Sequence, residues 1–265
     1  ALNEEFAFVG ECNVGGEFMA PEKVERLKKI AERTWTRTLS DRVGISYDEK
    51  KRKERTPEAA LPVVEKLLQD RPDHIFIREG HDLLPPDNKW GFKMKVPEHK
   101  FNLGEVYNLG IGRGTLTEED RYKINDHIVQ TIIMLEALPF PRHLRRVPEY
   151  AGGHHEKMDG TGYPRRLSKD QMSIPARIMA IADIFEALTA RDRPYKKAKT
   201  LSESLRIMSF MKKDQHIDAE LFELFLRSGV YKAYAEQFGG SEDDAVKVIM
   251  NRSSVSGTKS WFFTK

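Results

Sequence analysis

Apolar residues recur at helical spacing along much of this chain, most regularly in its second half. From Thr117 onward, the stripe Ile124, Ile128, Ile132, Leu135 and Leu138 predicts one long helix. Pro139 and Pro141 stop it. Thr117 with Asp120 resembles a capping box at its start. A shorter helix carries His143, Leu144 and Val147. The stretch IPARIMAIADIFEALTA (174–190) is apolar almost all round, which predicts a buried helix. Helices follow over roughly 201–212, 218–228 and 231–238, and a polar tail closes the chain.

The first half is patterned differently. Gly10, Gly15 and Gly16 mark the opening residues as loop. Pro21 opens a helix in which Val24, Leu27, Ile30, Ala31 and Trp35 recur through about Leu39. The charge run EKKRKER (49–55) reads as a solvated helix end or loop. Thr56 can cap a second helix, with Pro57 at its first position, running to about Asp70. HIFIR (74–78) and GFKMKV (91–96) alternate apolar and polar residues, which predicts a β-hairpin with Gly80, Pro85, Pro86 and Asn88 in its loop. Gly104, Gly110, Gly112 and Gly114 mark an irregular connector. The fold class expected is all-α, a helical bundle with a small inserted β-hairpin.

Composition narrows this picture. With 39% hydrophobic residues in 265, the chain can bury a core, so it is neither disordered nor fibrous. No apolar run approaches the length of a membrane span. Forty-four basic residues against 41 acidic leave a net charge of +3, which argues against a general DNA or RNA binder. The single cysteine, Cys12, excludes an internal disulfide and points to a reducing, cytoplasmic setting. The chain opens on Ala1 with no signal peptide behind it, so it is expected to start inside a longer protein.

Candidate chemistry gathers in the second half. His154 and His155 are adjacent and followed by Glu156. Side chains adjacent on a helical turn point about 100° apart, so the pair can serve two neighbouring metals, or a metal and a substrate. The plain alternative is a polar surface turn. His127 lies on the apolar face of its helix, where a hydrogen-bonded core histidine is the ordinary occupant. Asp183 sits in the most apolar helix, so it needs either an arginine partner, Arg177 or Arg191, or a cation. Three histidines and one carboxylate suit a transition metal in a bundle core. The loop DGTGYP carries Gly160 and Gly162, which permit close backbone approach, and Tyr163, which offers a ring and a hydroxyl. RDRPYKKAK (191–199) sets Arg191, Arg193, Lys196, Lys197 and Lys199 beside Tyr195, either an exposed loop or a phosphate clamp.

Taken together, HHEKMDGTGYP, IPARIMAIADIFEAL, RPYKK and the preceding LTEEDRYKINDHIVQTIIML resemble the HD-GYP subgroup of the HD metal-dependent phosphohydrolases. The resemblance covers about Gly114 to Gly229. It implies an HD-domain-like helical core over 114–240, with 1–113 a helical insertion or extension carrying the hairpin and 241–265 a tail. It implies hydrolysis of cyclic di-GMP or a related cyclic dinucleotide in bacterial signalling, at a site of two or more iron or manganese ions. On this resemblance His127, His154, His155 and Asp183 match metal ligands, with the last three in the catalytic set. Gly162, Tyr163 and Pro164 match the GYP signature, and Arg193 and Lys196 match residues that contact substrate phosphates.

The family's His–Asp dyad normally precedes the long helix in an HD.GK segment. Here FNLGEVYNLGIGRGT stands in that place without such a pair, and His81–Asp82 falls in the expected hairpin loop. The dyad is therefore expected upstream of Ala1, with 1–115 inserted between two halves of the site, or else degenerate. The isolated chain is then expected to bind metal incompletely and to hydrolyse cyclic di-GMP poorly. The competing reading is a module that binds a cyclic dinucleotide, or a signalling partner through the DGTGYP loop, without catalysis. The Val24/Leu27/Ile30 helix packs on the core or mediates a homodimer.

Overall fold

A computed structural model describes residues 1–83, 87–190 and 199–238. The chain divides into two compact units, one of residues 1–88 with 95–126, the other of residues 89–94 with 127–265. Helices dominate, with three small two-stranded sheets, so the all-α class expected from the sequence holds.

In the N-terminal unit the order is α1 (Leu2–Val14), β1 (Gly16–Phe18), α2 (Pro21–Ala31), β2 (Thr34–Arg37), α3 (Tyr47–Lys53), β3 (Val63–Lys66), β4 (Ile75–Ile77), β5 (His99–Asn102), α4 (Glu105–Leu109) and β6 (Arg113–Gly114). The sheets pair β1 with β6, β2 with β3 and β4 with β5, all antiparallel. Several expectations fail here. The opening residues form a helix, because Phe8, Val9 and Cys12 pack with Leu27 and Ile30. That burial outweighs the cost of about 1 kcal/mol for a helical glycine at Gly10. Helix α2 ends at Ala31, and Trp35 lies in a strand opposite Glu65. Thr56 does not open a helix. Its hydroxyl donates to the Lys53 carbonyl and closes α3, and the chain then extends into β3.

The expected hairpin is half right. Ile75–Ile77 is a strand, but its partner is His99–Asn102, not 91–96. The charge run is largely solvated, as expected, with one exception. Lys53 is buried, its ammonium 3.0 Å from Asp41 and 3.1 Å from Asp73.

In the second half the helices are α5 (Glu118–Glu136), α6 (Val147–Gly152), α7 (Ile174–Thr189), α8 (Leu201–Lys213), α9 (Ala219–Ser228) and α10 (Val230–Phe238), and all but α6 fall where the pattern puts them; His143 and Leu144, expected in α6, lie in a separate 3-10 turn before it. Thr117 and Asp120 cap α5 reciprocally, and Thr200 with Glu203 does the same for α8. The core of the C-terminal unit joins Ile181 and Phe185 of α7, Leu205 and Met208 of α8, Phe222 and Leu226 of α9, and Tyr231 of α10. Each such side chain contributes about 1.5–3 kcal/mol by burial.

Helix α7 departs from expectation. Only Ala176, Ala180, Ile181 and Phe185 are buried, and the opposite face, with Ile174, Ile178, Met179 and Asp183, is exposed. Its near-uniform apolarity therefore does not mean burial all round. Among the described residues, no helix is long and apolar enough to cross a membrane.

Candidate metal centre

Two glycines decide where the histidine pair lies. A Cβ on Gly152 would stand 2.8 Å from the Ile132 side chain, and one on Gly153 would stand 2.8 Å from the Ala176 Cβ. These approaches draw the end of α6 tightly against α5 and α7. The chain leaves α6 in a turn, not in a helix as the sequence suggested, and presents His154 and His155 there.

His127 is exposed on α5, not a core histidine as its place on the apolar stripe suggested, and it faces the pair. One donor nitrogen from each of the three histidines lies within 4.8 Å of the other two. The His127 and His155 Nε2 atoms are 3.1 Å apart. His154 Nδ1 lies 2.6 Å from the Ala151 carbonyl, which can only accept, so Nδ1 is the donor of this hydrogen bond and Nε2 is the nitrogen left to bind an ion. Burial, with His154, His127 and His216 around it, pushes the His155 imidazole down to about 3, so it is neutral at physiological pH. Neutral imidazoles with free lone pairs are the form that binds divalent transition metals, and the donor set fits such ions. Nitrogens on one ion at about 2.1 Å can be at most about 4.2 Å apart, so small side-chain rotations close this group on a shared ion.

Asp183 lies outside this group. It is exposed on α7, and Arg177, one of its expected partners, instead binds the buried Asp218. Its charge still reaches the site. The Tyr163 phenol is raised to about 12, first by burial and then by Asp183. Tyr163 stacks on His155, with ring centroids 4.8 Å apart and planes 21° apart. Arg193 and Lys196 lie outside the described residues, as do Arg191, Tyr195 and Lys197.

The loop between the histidines and α7 is built around Glu156, which is 1% exposed rather than part of a surface turn. Its carboxylate accepts from the backbone N–H of Arg165 at 2.6 Å and of Leu167 at 2.8 Å. Burial raises its pKa, and these hydrogen bonds only partly offset that. Gly162 passes directly beneath, and a Cβ there would stand 2.4 Å from Lys157 N and 2.5 Å from Glu156 Cα. The Tyr163 N–H donates to the His155 carbonyl at 3.2 Å, and Asp159 accepts from the Thr161 amide and hydroxyl. Pro164 is fully buried, and the peptide bond before it is cis.

His216, in the turn between α8 and α9, was not anticipated. Half-buried, it is close enough to help hold His155 neutral. Burial and then Lys157 lower its own pKa. No spacing signal in the sequence ties it to the other histidines. Asp82 pairs with Lys100 at 2.7 Å in the N-terminal unit.

The HD domain family model matches residues 62–221, more than half of the chain. The chain belongs to the HD domain family. The match to the HD domain begins upstream of the stretch that carries the sequence resemblance and takes in His81–Asp82. Relatives of this HD domain agree with the HD-GYP resemblance. A 3'3'-cGAMP-specific phosphodiesterase of Vibrio cholerae is 43% identical over 82 residues, 31% of this chain and 19% of that protein. A cyclic di-GMP phosphodiesterase of Pseudomonas aeruginosa is 42% identical over 79 residues, 29% of this chain and 18% of that protein. A probable cyclic di-GMP phosphodiesterase of Vibrio cholerae is 34% identical over 180 residues, 65% of this chain and 40% of that protein. The chain thus spans less than half the length of these relatives.

Proposed function

We propose that this HD domain chain is the GYP-bearing part of a metal-dependent phosphodiesterase for cyclic di-GMP or a related 3',3' cyclic dinucleotide. The observation that carries this reading is the convergence of three imidazoles beside the Tyr163 ring. The names of the relatives support the substrate class.

His127, His154 and His155 would hold divalent ions, with Asp183 as a further ligand from α7. Iron or manganese is the choice the family resemblance implies. The ions, when bound, supply the acidity that makes water nucleophilic near neutral pH and the charge that offsets phosphoryl oxygens. His155 is held neutral and acts as a ligand rather than as an acid. Tyr163, neutral at any physiological pH, donates through its hydroxyl or covers the site with its ring, and does not serve as a base. Arg193 and Lys196 are assigned to the substrate phosphates on the resemblance alone. Hydrolysis joins a water oxygen to phosphorus and releases a ribose oxygen with a proton.

Three clustered histidines and Asp183, the ligands available among the described residues, leave a second ion under-coordinated, which favours one alternative. In it the chain binds a cyclic dinucleotide or a partner protein through the GYP loop without turnover. Metal analysis and a cyclic di-GMP hydrolysis assay separate the two. Metal-dependent turnover lost in His154→Ala and Asp183→Ala supports the enzyme. Nucleotide binding indifferent to both substitutions supports the module.

A further inference from the structure

The residue after the GYP signature is held from four sides. The Arg165 backbone N–H donates to the buried Glu156 carboxylate. Its Nε donates to the Trp90 carbonyl at 2.8 Å, and its Nη2 to Glu136 Oε1 at 3.2 Å. Its guanidinium also lies over the Phe92 ring, 5.7 Å from the centroid. Trp90 and Phe92 stack with centroids 5.8 Å apart and planes 8° apart, and Phe92 is buried. The strap that carries them makes a second tie to the loop, since the Lys93 N–H donates to the Pro164 carbonyl at 2.7 Å.

These contacts converge on one mechanical point. Arg165 is two residues from Tyr163, whose ring stacks on His155. Glu136 lies on α5, the helix that carries His127. A planar guanidinium with several fixed donors can satisfy a carbonyl, a carboxylate and an aromatic face together, and an ammonium cannot.

We infer that Arg165, gripped by the Lys89–Met94 strap and Glu136, is a positioning residue that holds Tyr163 on His155. Arg165 touches neither the histidines nor, in this reading, the substrate. Its effect passes through Pro164. The inference deepens the proposed cyclic dinucleotide function and rests on it for its kinetic consequence.

The test uses the full chain with Arg165→Lys and, because the arginine variant can also loosen the fold, the milder Glu136→Gln on the half-exposed partner. One readout is independent of activity. In the metal-free protein, the His155 ring protons carry a ring-current shift from Tyr163 that NMR can follow. Arg165→Lys is expected to move those signals toward unstacked values and to raise KM for cyclic di-GMP about tenfold, with kcat within about twofold and metal content unchanged. Glu136→Gln is expected to move both in the same direction by less. Unmoved His155 signals in Arg165→Lys overturn the inference, and so does a fall in kcat and melting temperature with KM intact. Should the unsubstituted protein turn over no cyclic dinucleotide, the functional reading fails. The NMR signals still decide the clamp, a shift supporting it and no shift overturning it.

Discussion

Gly162 runs beneath Glu156 so closely that a single added methyl would stand 2.5 Å from the Glu156 Cα. The obstacle is backbone, not the end of a flexible side chain. Gly162→Ala must therefore displace the loop that carries Tyr163. A loss of about 1–3 kcal/mol is expected in urea denaturation, as for other over-packed interiors. Nucleotide binding should weaken more than the histidines' hold on metal, which calorimetry with Mn2+ and with cyclic di-GMP can compare.

Glu156 links that loop to pH. Its carboxyl is raised in the folded state because burial outweighs the hydrogen bonds from Arg165 and Leu167. A carboxyl raised on folding contributes stability that is fully present below its unfolded pKa and lost as pH rises through the folded one. The advantage of the native chain over Glu156→Gln should thus be greater at pH 4 than at pH 7. Urea melts of both proteins at the two values check the sign. An advantage that grows with pH would contradict the burial argument.

The Arg177–Asp218 pair is a structural counterpart to the site. The Asp218 side chain has no exposure, and it caps α9 through the amides of Glu220 and Leu221. Burial pushes its carboxyl up, but the Leu221 amide, Arg177 and Lys169 outweigh that, and the net direction is down. Arg177→Met leaves Lys169, 3.4 Å away, as the cation near it. The expected cost is about 3 kcal/mol, as for other broken buried pairs. A carboxyl lowered on folding gives stability that is present above its unfolded pKa and lost as pH falls through the folded one. Acidification below the ordinary aspartate range should therefore cost the variant less than the native chain, which thermal melts across that range measure.

Asp183 separates ligand from scaffold. It is exposed, so Asp183→Asn should change stability by no more than about 0.5 kcal/mol. Metal content and any metal-dependent hydrolysis should nevertheless fall. A variant that melts early, with metal content unchanged, would instead place Asp183 in the scaffold.

The two halves of the chain differ in how far the pattern of residues alone could be read. From Thr117 on, 3.6-residue periodicity marks the longer helices, and side-chain caps start α5, α8 and α9, because their hydrogen bonds and capping partners lie within a few residues. Before it, Thr34–Arg37 finds its partner in Val63–Lys66, and Ile75–Ile77 in His99–Asn102. Strands of three or four residues carry too little pattern of their own, and their stability lies in a distant segment. Trp35 therefore reads as helix, and 91–96 as the wrong strand.

The chemistry divides in the same way. The sequence by itself determined which residue types were at hand: the adjacent histidines, the lone His127, and a glycine where only a glycine fits. Only the tertiary structure decided that His127 closes on His155, 28 positions further along the chain, that Glu156 is buried beneath the loop, and that Asp183 faces outward. The physical reason is that burial and donor convergence belong to packing between elements. Gly152 and Gly153 set that packing by letting α5, α6 and α7 approach within a methyl's reach.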